Sequence, residues 1–168
     1  RILRRDGEQI GLKSGFTIYD TADCERLIKL VCADFNIDIK RFTPRSILAR
    51  ISDYKNQLTD ASTALAQYAP DFKPGMRHSS FGQIGDPEPV YAVVYAEYQY
   101  RLALANAVDF DDLIVRTVEL LRTQPHVAEY YRHKFRYILV DEYQDTNHAQ
   151  YVLVRAPAGV DAHEHSDP

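Results

Sequence analysis

No stretch of this chain approaches the roughly 20 consecutive apolar residues a helix needs to cross a bilayer, so a membrane-spanning reading is excluded. A basic-then-apolar leader is absent as well, which points away from secretion. Cysteine is scarce. Cys24 and Cys32 are the only two, and on one helix they would stand about 12 Å apart along its axis, too far for a disulfide. A reducing, cytoplasmic setting is the expectation that follows. An initiator Met is missing, and the chain starts in mid-pattern at Arg1-Ile2-Leu3-Arg4-Arg5; a piece of a longer protein is expected. Internal repeats and long low-complexity tracts are lacking. What is present excludes disorder: 45% of the 168 residues are hydrophobic and 26% charged, the balance of a globular chain.

The net charge of −4 argues against a naked nucleic-acid-binding arm, but it is unevenly spread. Residues 1–58 hold 11 Lys and Arg against 8 Asp and Glu, whereas residues 59–168 hold 9 against 16. A local contact with a polyanion is compatible with that asymmetry.

Periodicity predicts a mainly helical chain. Asp20 or Thr21 can cap a helix running to about Phe35. Thr43-Pro44 pairs an N-cap with proline at the first helical position, and Ile47, Leu48, Ile51, Tyr54 and Leu58 then fall on one helical face. Residues 70–89 gather four of the eight prolines and three of the seven glycines, which predicts an exposed, mobile loop. A helix from about Val90 to Ala105 should bury Tyr91, Val94, Tyr95, Tyr98 and Leu102. That tyrosine stripe reads as core rather than as a base-stacking platform. Asp109, Asp111 and Asp112 open a further helix, where acid suits the positive end of the helix dipole. Gln124-Pro125 ends it, and a shorter helix around His126–Lys134 leads to the apolar run Tyr137–Val140. That run ends in Asp141-Glu142, and a helical segment to about Arg155 follows. A short strand, an acidic turn and a helix are the pattern of a parallel α/β sheet, whose sites lie at the carboxyl ends of its strands.

A strand that delivers Asp-Glu at its tip can hold two carboxylates rigidly beside a nucleotide, one for Mg2+ and one for the attacking water. Taken alone, such a pair more often begins a solvated turn. The longer string Tyr137-Ile138-Leu139-Val140-Asp141-Glu142-Tyr143-Gln144-Asp145-Thr146-Asn147 is more specific. It resembles the Walker B region, or motif II, of the UvrD/PcrA/Rep family of superfamily 1 DNA helicases. Three other stretches resemble the same family in order and spacing. Arg1–Arg5 is similar to the tail of its threonine-phenylalanine-histidine motif. Ile51-Ser52-Asp53-Tyr54-Lys55-Asn56 is similar to a helix of the inserted subdomain called 1B. Tyr98–Leu102 followed by Asp109–Ile114 is similar to the return into the motor core.

The resemblance implies a helical inserted subdomain attached to an incomplete RecA-like α/β (P-loop NTPase) piece. Residues 1–15 would end a core segment, 16–108 would form the insertion with its loop at 70–89, 109–155 would return to the core, and 156–168 would be a polar tail. It also implies an ATP-dependent motor moving 3′ to 5′ on DNA, with Mg2+ and ATP as cofactors. Asp141 would be the metal-associated acid, Glu142 the general base and Gln144 a γ-phosphate or water sensor, while Asp145 would support the turn. Single-stranded and duplex DNA and the remaining core domains would be partners. For DNA contact the first expectation is Lys55 and Asn56, then Arg45 and Arg41, within a stretch that also carries Lys40 and Arg50.

A Walker A loop is absent from these 168 residues. Gly7–Ser14 contains glycines and a lysine, but no apolar strand precedes it and its spacing is wrong for a phosphate cradle. The isolated chain is therefore expected to be inactive toward ATP and DNA, and the Tyr137–Val140 strand is expected to promote self-association. Two rival readings remain. Asp109, Asp111, Asp112, Asp141, Glu142 and Asp145 could form a two-metal nuclease if brought within about 4 Å. Alternatively, the helical part could be a non-enzymatic docking module for DNA or protein. The six histidines read as solvated side chains rather than a metal site.

Overall fold

The computed structural model describes residues 1–76, 86–135, 148–150 and 152–153. The expected strand at 137–140, the polar tail and the middle of the proline-rich loop lie outside the described residues. Within them the chain is mainly helical, with one two-stranded parallel sheet. It divides into two compact units. One comprises Arg1–Phe16, Asn56–Leu58 and Asp111–Pro168; the other comprises Thr17–Lys55 and Thr59–Phe110. The sequence reading placed the insertion at 16–108. Within that span, the three residues Asn56–Leu58 group with the other unit.

The helical unit is built around one buried helix. Strand β1 (Thr17–Ile18) leads into α2 (Thr21–Asp34), α3 (Pro44–Asn56), α4 (Ala61–Tyr68) and α5 (Glu88–Leu104), and β2 (Ala107–Val108) closes it. In α5 every residue from Ala92 to Tyr98 is buried, Glu97 included, whose carboxylate accepts from the Gly75 N–H and from Arg101. Phe35 meets Phe72 and Phe42 meets Tyr91 edge to face, each at 5.8 Å, while Tyr54 stacks on Tyr95 at 5.4 Å. The tyrosine stripe is thus core, as its spacing predicts. Cys24 and Cys32 both lie in α2, buried and unbridged. Burial pushes the Cys32 thiol up to about 11, so it is no nucleophile at neutral pH.

Local chemistry sets the helix ends. Asp20 accepts the Asp23 N–H at 2.8 Å while Asp23 reaches back to the Asp20 N–H, forming a capping box for α2. Thr43 Oγ1 accepts the Ser46 N–H at 3.2 Å ahead of Pro44. Helix α3 stops at Asn56, so Leu58 is not on its apolar face; it turns left-handed at φ 56°. The Thr59 N–H then donates to Tyr54 O at 2.8 Å, a six-residue closure of the helix end. A leucine in that conformation costs on the order of 1 kcal/mol.

Two stretches differ from expectation. Helix α4 was not expected, although Ala61, Ala64, Leu65 and Tyr68 have helical spacing and meet the core; Asp60 caps it by accepting from the Thr63 N–H at 2.8 Å. The proline-rich stretch is ordered at both flanks. Phe72 is buried, and the Gly75 N–H donates to Glu97 at 2.8 Å. Gly75 sits at φ 86°, and a side chain there would meet the Tyr100 ring at 3.1 Å. Pro87 and Pro89 serve the start of α5 rather than breaking it.

In the other unit, α1 (Ile2–Asp6) and a 3-10 turn (Gly7–Ile10) accompany α6 (Phe110–Thr123) and α7 (Pro125–Lys134). Arg4 donates to Ser14 O at 2.6 Å and Phe16 O at 2.7 Å, and lies over the Phe16 ring at 3.6 Å. The Tyr131 hydroxyl donates to Asp6 at 3.1 Å. The Gly7–Ser14 string is therefore a turn after a helix, with Gly11 left-handed at φ 79°. It lacks the strand-loop-helix frame of a phosphate cradle.

The caps give a first prediction. Hydrogen bonding to Thr63 foremost, and to Ser62, holds the Asp60 carboxyl below its ordinary value against the opposing effect of burial. Its stabilising contribution is then complete above the ordinary carboxylate range and is lost as pH falls through the depressed value. Asp60→Ala should lower stability by about 1 kcal/mol at neutral pH. In urea titrations the gap from the native chain should narrow as pH falls through and below the ordinary carboxylate range.

Candidate nucleic-acid interface and its buried anchor

The cations expected to meet DNA separate by depth along α3. Lys40, Arg41 and Arg45 are exposed at its N-terminal end, where the helix dipole adds further positive potential. Arg41 lies 5.0 Å from the buried Phe42 ring. One turn further, Arg50 is half-buried, donates to Glu88 at 2.9 Å and lies 4.5 Å over the Tyr54 ring. Tyr54 also donates to Glu88, at 3.2 Å, and burial foremost pushes its phenol up to about 12. Asn56, at the end of α3, is half-buried.

Lys55, the first choice from sequence, is inside. It is 2% exposed, and its ammonium donates to Asp109 Oδ2 at 2.6 Å. Asp109 is 4% exposed and also accepts from the Tyr98 hydroxyl at 2.8 Å. Burial first, and the Asp109 charge next, raise the Tyr98 phenol far above its ordinary value, so it remains a donor. A phosphate oxygen has no path to Lys55 in this arrangement. The expectation of phosphate contact there gives way to a structural role. Helical spacing does place residue 55 on the apolar face of α3, four residues after Ile51 and eight after Ile47; its charge pointed to the surface, and the partner that allows its burial lies 54 residues away.

That partner belongs to the acidic cluster before α6. Asp109 is the buried counter-ion, Asp112 is buried in the first turn of α6, and Asp111 is partly exposed. Among the described residues, no group of three His, Cys, Asp or Glu is arranged to hold a metal ion. Asp141, Glu142, Gln144 and Asp145 lie outside the described residues, so the nuclease constellation and the motif II geometry are not on view.

Breaking a buried ion pair strands the remaining charge. Lys55→Met or Asp109→Asn alone should each cost about 3–5 kcal/mol in chemical denaturation. The double substitution Lys55→Met/Asp109→Leu, which leaves no buried charge, should recover most of that loss. Recovery near zero would show that the charges themselves are needed.

Comparison with known proteins shows the family of the chain. The family model for the UvrD/REP helicase N-terminal domain matches residues 1–163. ATP-dependent DNA helicase UvrD1 of Mycobacterium tuberculosis is 48% identical over 169 residues, covering 100% of this chain and 20% of that relative. UvrD1 of Mycobacterium leprae is 47% identical over 168 residues, covering 99% of this chain and 20% of the relative. ATP-dependent DNA helicase PcrA of Staphylococcus aureus is 45% identical over 155 residues, covering 92% and 19% respectively. The chain thus spans about one fifth of the length of these curated relatives. Matched by the family model over nearly its whole length and 45–48% identical to these relatives, this chain belongs to the UvrD/REP helicase family, within its N-terminal domain.

Proposed function

We propose that the chain is an internal segment of an ATP-dependent DNA helicase that moves 3′ to 5′. The helical unit would be the inserted 1B subdomain, and residues 109–155 would return to the RecA-like core. The observation that carries this reading is the string Asp141-Glu142-Tyr143-Gln144 after the apolar run 137–140, within a chain about half identical to named helicases. Its donors, two carboxylates and an amide, suit a hard divalent cation such as Mg2+. When bound with ATP, that cation neutralises phosphate charge. Asp141 would hold it, Glu142 would orient and deprotonate the attacking water, and Gln144 would contact the γ-phosphate or that water.

On the helical unit, Arg41 and Arg45 are the proposed contacts to the DNA backbone, with Lys40 beside them and Asn56 at the far end of α3. Their exposure supports a sequence-independent phosphate contact. The Walker A lysine, the arginine finger and the second core domain would come from the rest of the protein, so these 168 residues alone would neither hydrolyse ATP nor unwind DNA. The strand at 137–140 would pair within the complete core, and in isolation it would drive self-association.

In the full-length protein, Glu142→Gln should lower DNA-stimulated ATP turnover by about 100-fold or more while leaving ATP binding intact. Undiminished turnover would refute the assignment of the base. For DNA contact, Arg41→Ala and Arg45→Ala should each weaken single-stranded DNA binding and lower its log–log salt slope by roughly 1. An unchanged slope would remove these residues from the interface.

A further inference from the structure

The chain passes between the two units four times: at residues 16/17, 55/56, 58/59 and 110/111. On the helical-unit side, each crossing is bonded close to Asp109 or to α5. Beside the first, the Thr17 N–H donates to Asn106 O at 3.0 Å, and Thr17 and Ile18 pair with Ala107 and Val108. The Tyr19 N–H donates to Val108 O at 2.8 Å, one residue before Asp109. At the second, Lys55 is itself bonded to Asp109. At the third, the Thr59 N–H donates to Tyr54 O, and Thr59 O accepts from the Tyr95 hydroxyl at 2.9 Å. At the fourth, Phe110 directly follows Asp109. Tyr95 and Tyr98, three residues apart on α5, hold Thr59 and Asp109 respectively. Every exit is therefore bonded, within a residue or two, to the Asp109 node or to the buried helix α5.

The geometry points to Lys55, Asp109 and Tyr98 as positioning residues that fix the four exits of the helical unit relative to α5, so that movement powered elsewhere in the protein reaches this unit without local yielding. This inference rests on the helicase reading above and adds a role for residues that touch neither nucleotide nor DNA. A salt bridge with a second donor on the same carboxylate suits the task. It is directional, and burial keeps water from competing for its bonds. An apolar contact of equal volume would stabilise the unit without fixing the direction in which the end of α3 meets Asp109. The left-handed Leu58 between the second and third crossings is a further sign that the path there is over-determined.

The test uses the full-length protein with three readouts: thermal midpoint, DNA-stimulated ATP turnover, and base pairs opened per ATP consumed. Asp109→Asn should leave ATP turnover near the native rate while lowering base pairs opened per ATP about threefold or more. The double substitution Lys55→Met/Asp109→Leu separates positioning from stability: it should restore the thermal midpoint and leave the yield per ATP low. Should Asp109→Asn fail to fold, Tyr98→Phe, which deletes one hydroxyl and keeps the pair, should show the same loss of yield in weaker form. A double variant that regains both midpoint and yield would overturn the proposal, as would a native yield in Tyr98→Phe and Asp109→Asn alike. Absence of DNA-stimulated turnover in the native protein would instead overturn the helicase reading, and this inference with it.

Discussion

The contact between the Lys55 ammonium and the Asp109 carboxylate, 2.6 Å apart and almost wholly buried, constrains everything around it. Taking two charges out of water is costly, and the interior tolerates them only where each finds the other with good geometry. The first consequence is that α3 must end where its last turn can face the residue before α6. The second is that α5 must present Tyr98 to the same carboxylate, which sets the rotation of the central helix. The third is that β2 must deliver Asp109 in register, and its pairing with β1 does so. A single ion pair thus ties together elements from residue 17 to residue 110.

This constraint also explains why the basic segment is less uniform than its composition suggests. Of five cations between residues 40 and 55, the three at the N-terminal end are solvated, the fourth is shared with Glu88 and Tyr54, and the fifth is internal. A positive surface and a positive core residue occupy one helix because α3 runs from the periphery of its unit to the buried node. Charge counted along a sequence cannot separate these two fates; depth does.

Much of the helical unit was legible beforehand. The Asp20 and Thr43-Pro44 starts, the tyrosine face of α5 and the unbridged cysteines all follow from short-range rules of capping, spacing and reach. The rules failed where long-range contacts decide. Helix α4 is short, and its signals, the Asp60 cap and the helical spacing of Ala61, Ala64, Leu65 and Tyr68, are carried mostly by small residues. Pro87 and Pro89 read as part of a loop but sit at a helix start, where the missing N–H costs nothing. Lys55 read as a surface cation because its charge was weighed above its place on the apolar face, and the partner that allows burial lies far along the chain. For the candidate site, the motif II string was visible only as a sequence pattern, since Asp141, Glu142 and Gln144 fall outside the described residues. The basic helix start was visible in part, through Arg41 and Arg45.

If one node holds the helical unit together, its backbone bonds should open together. Native-state hydrogen exchange at the Thr17, Tyr19 and Thr59 amides measures this directly. All three lie near the unit's edges, where fraying would otherwise be expected. The account predicts that they exchange with the same opening free energy as amides in the middle of α5, through a single cooperative event. Independent, shallow opening at any of the three, with α5 still protected, would contradict it.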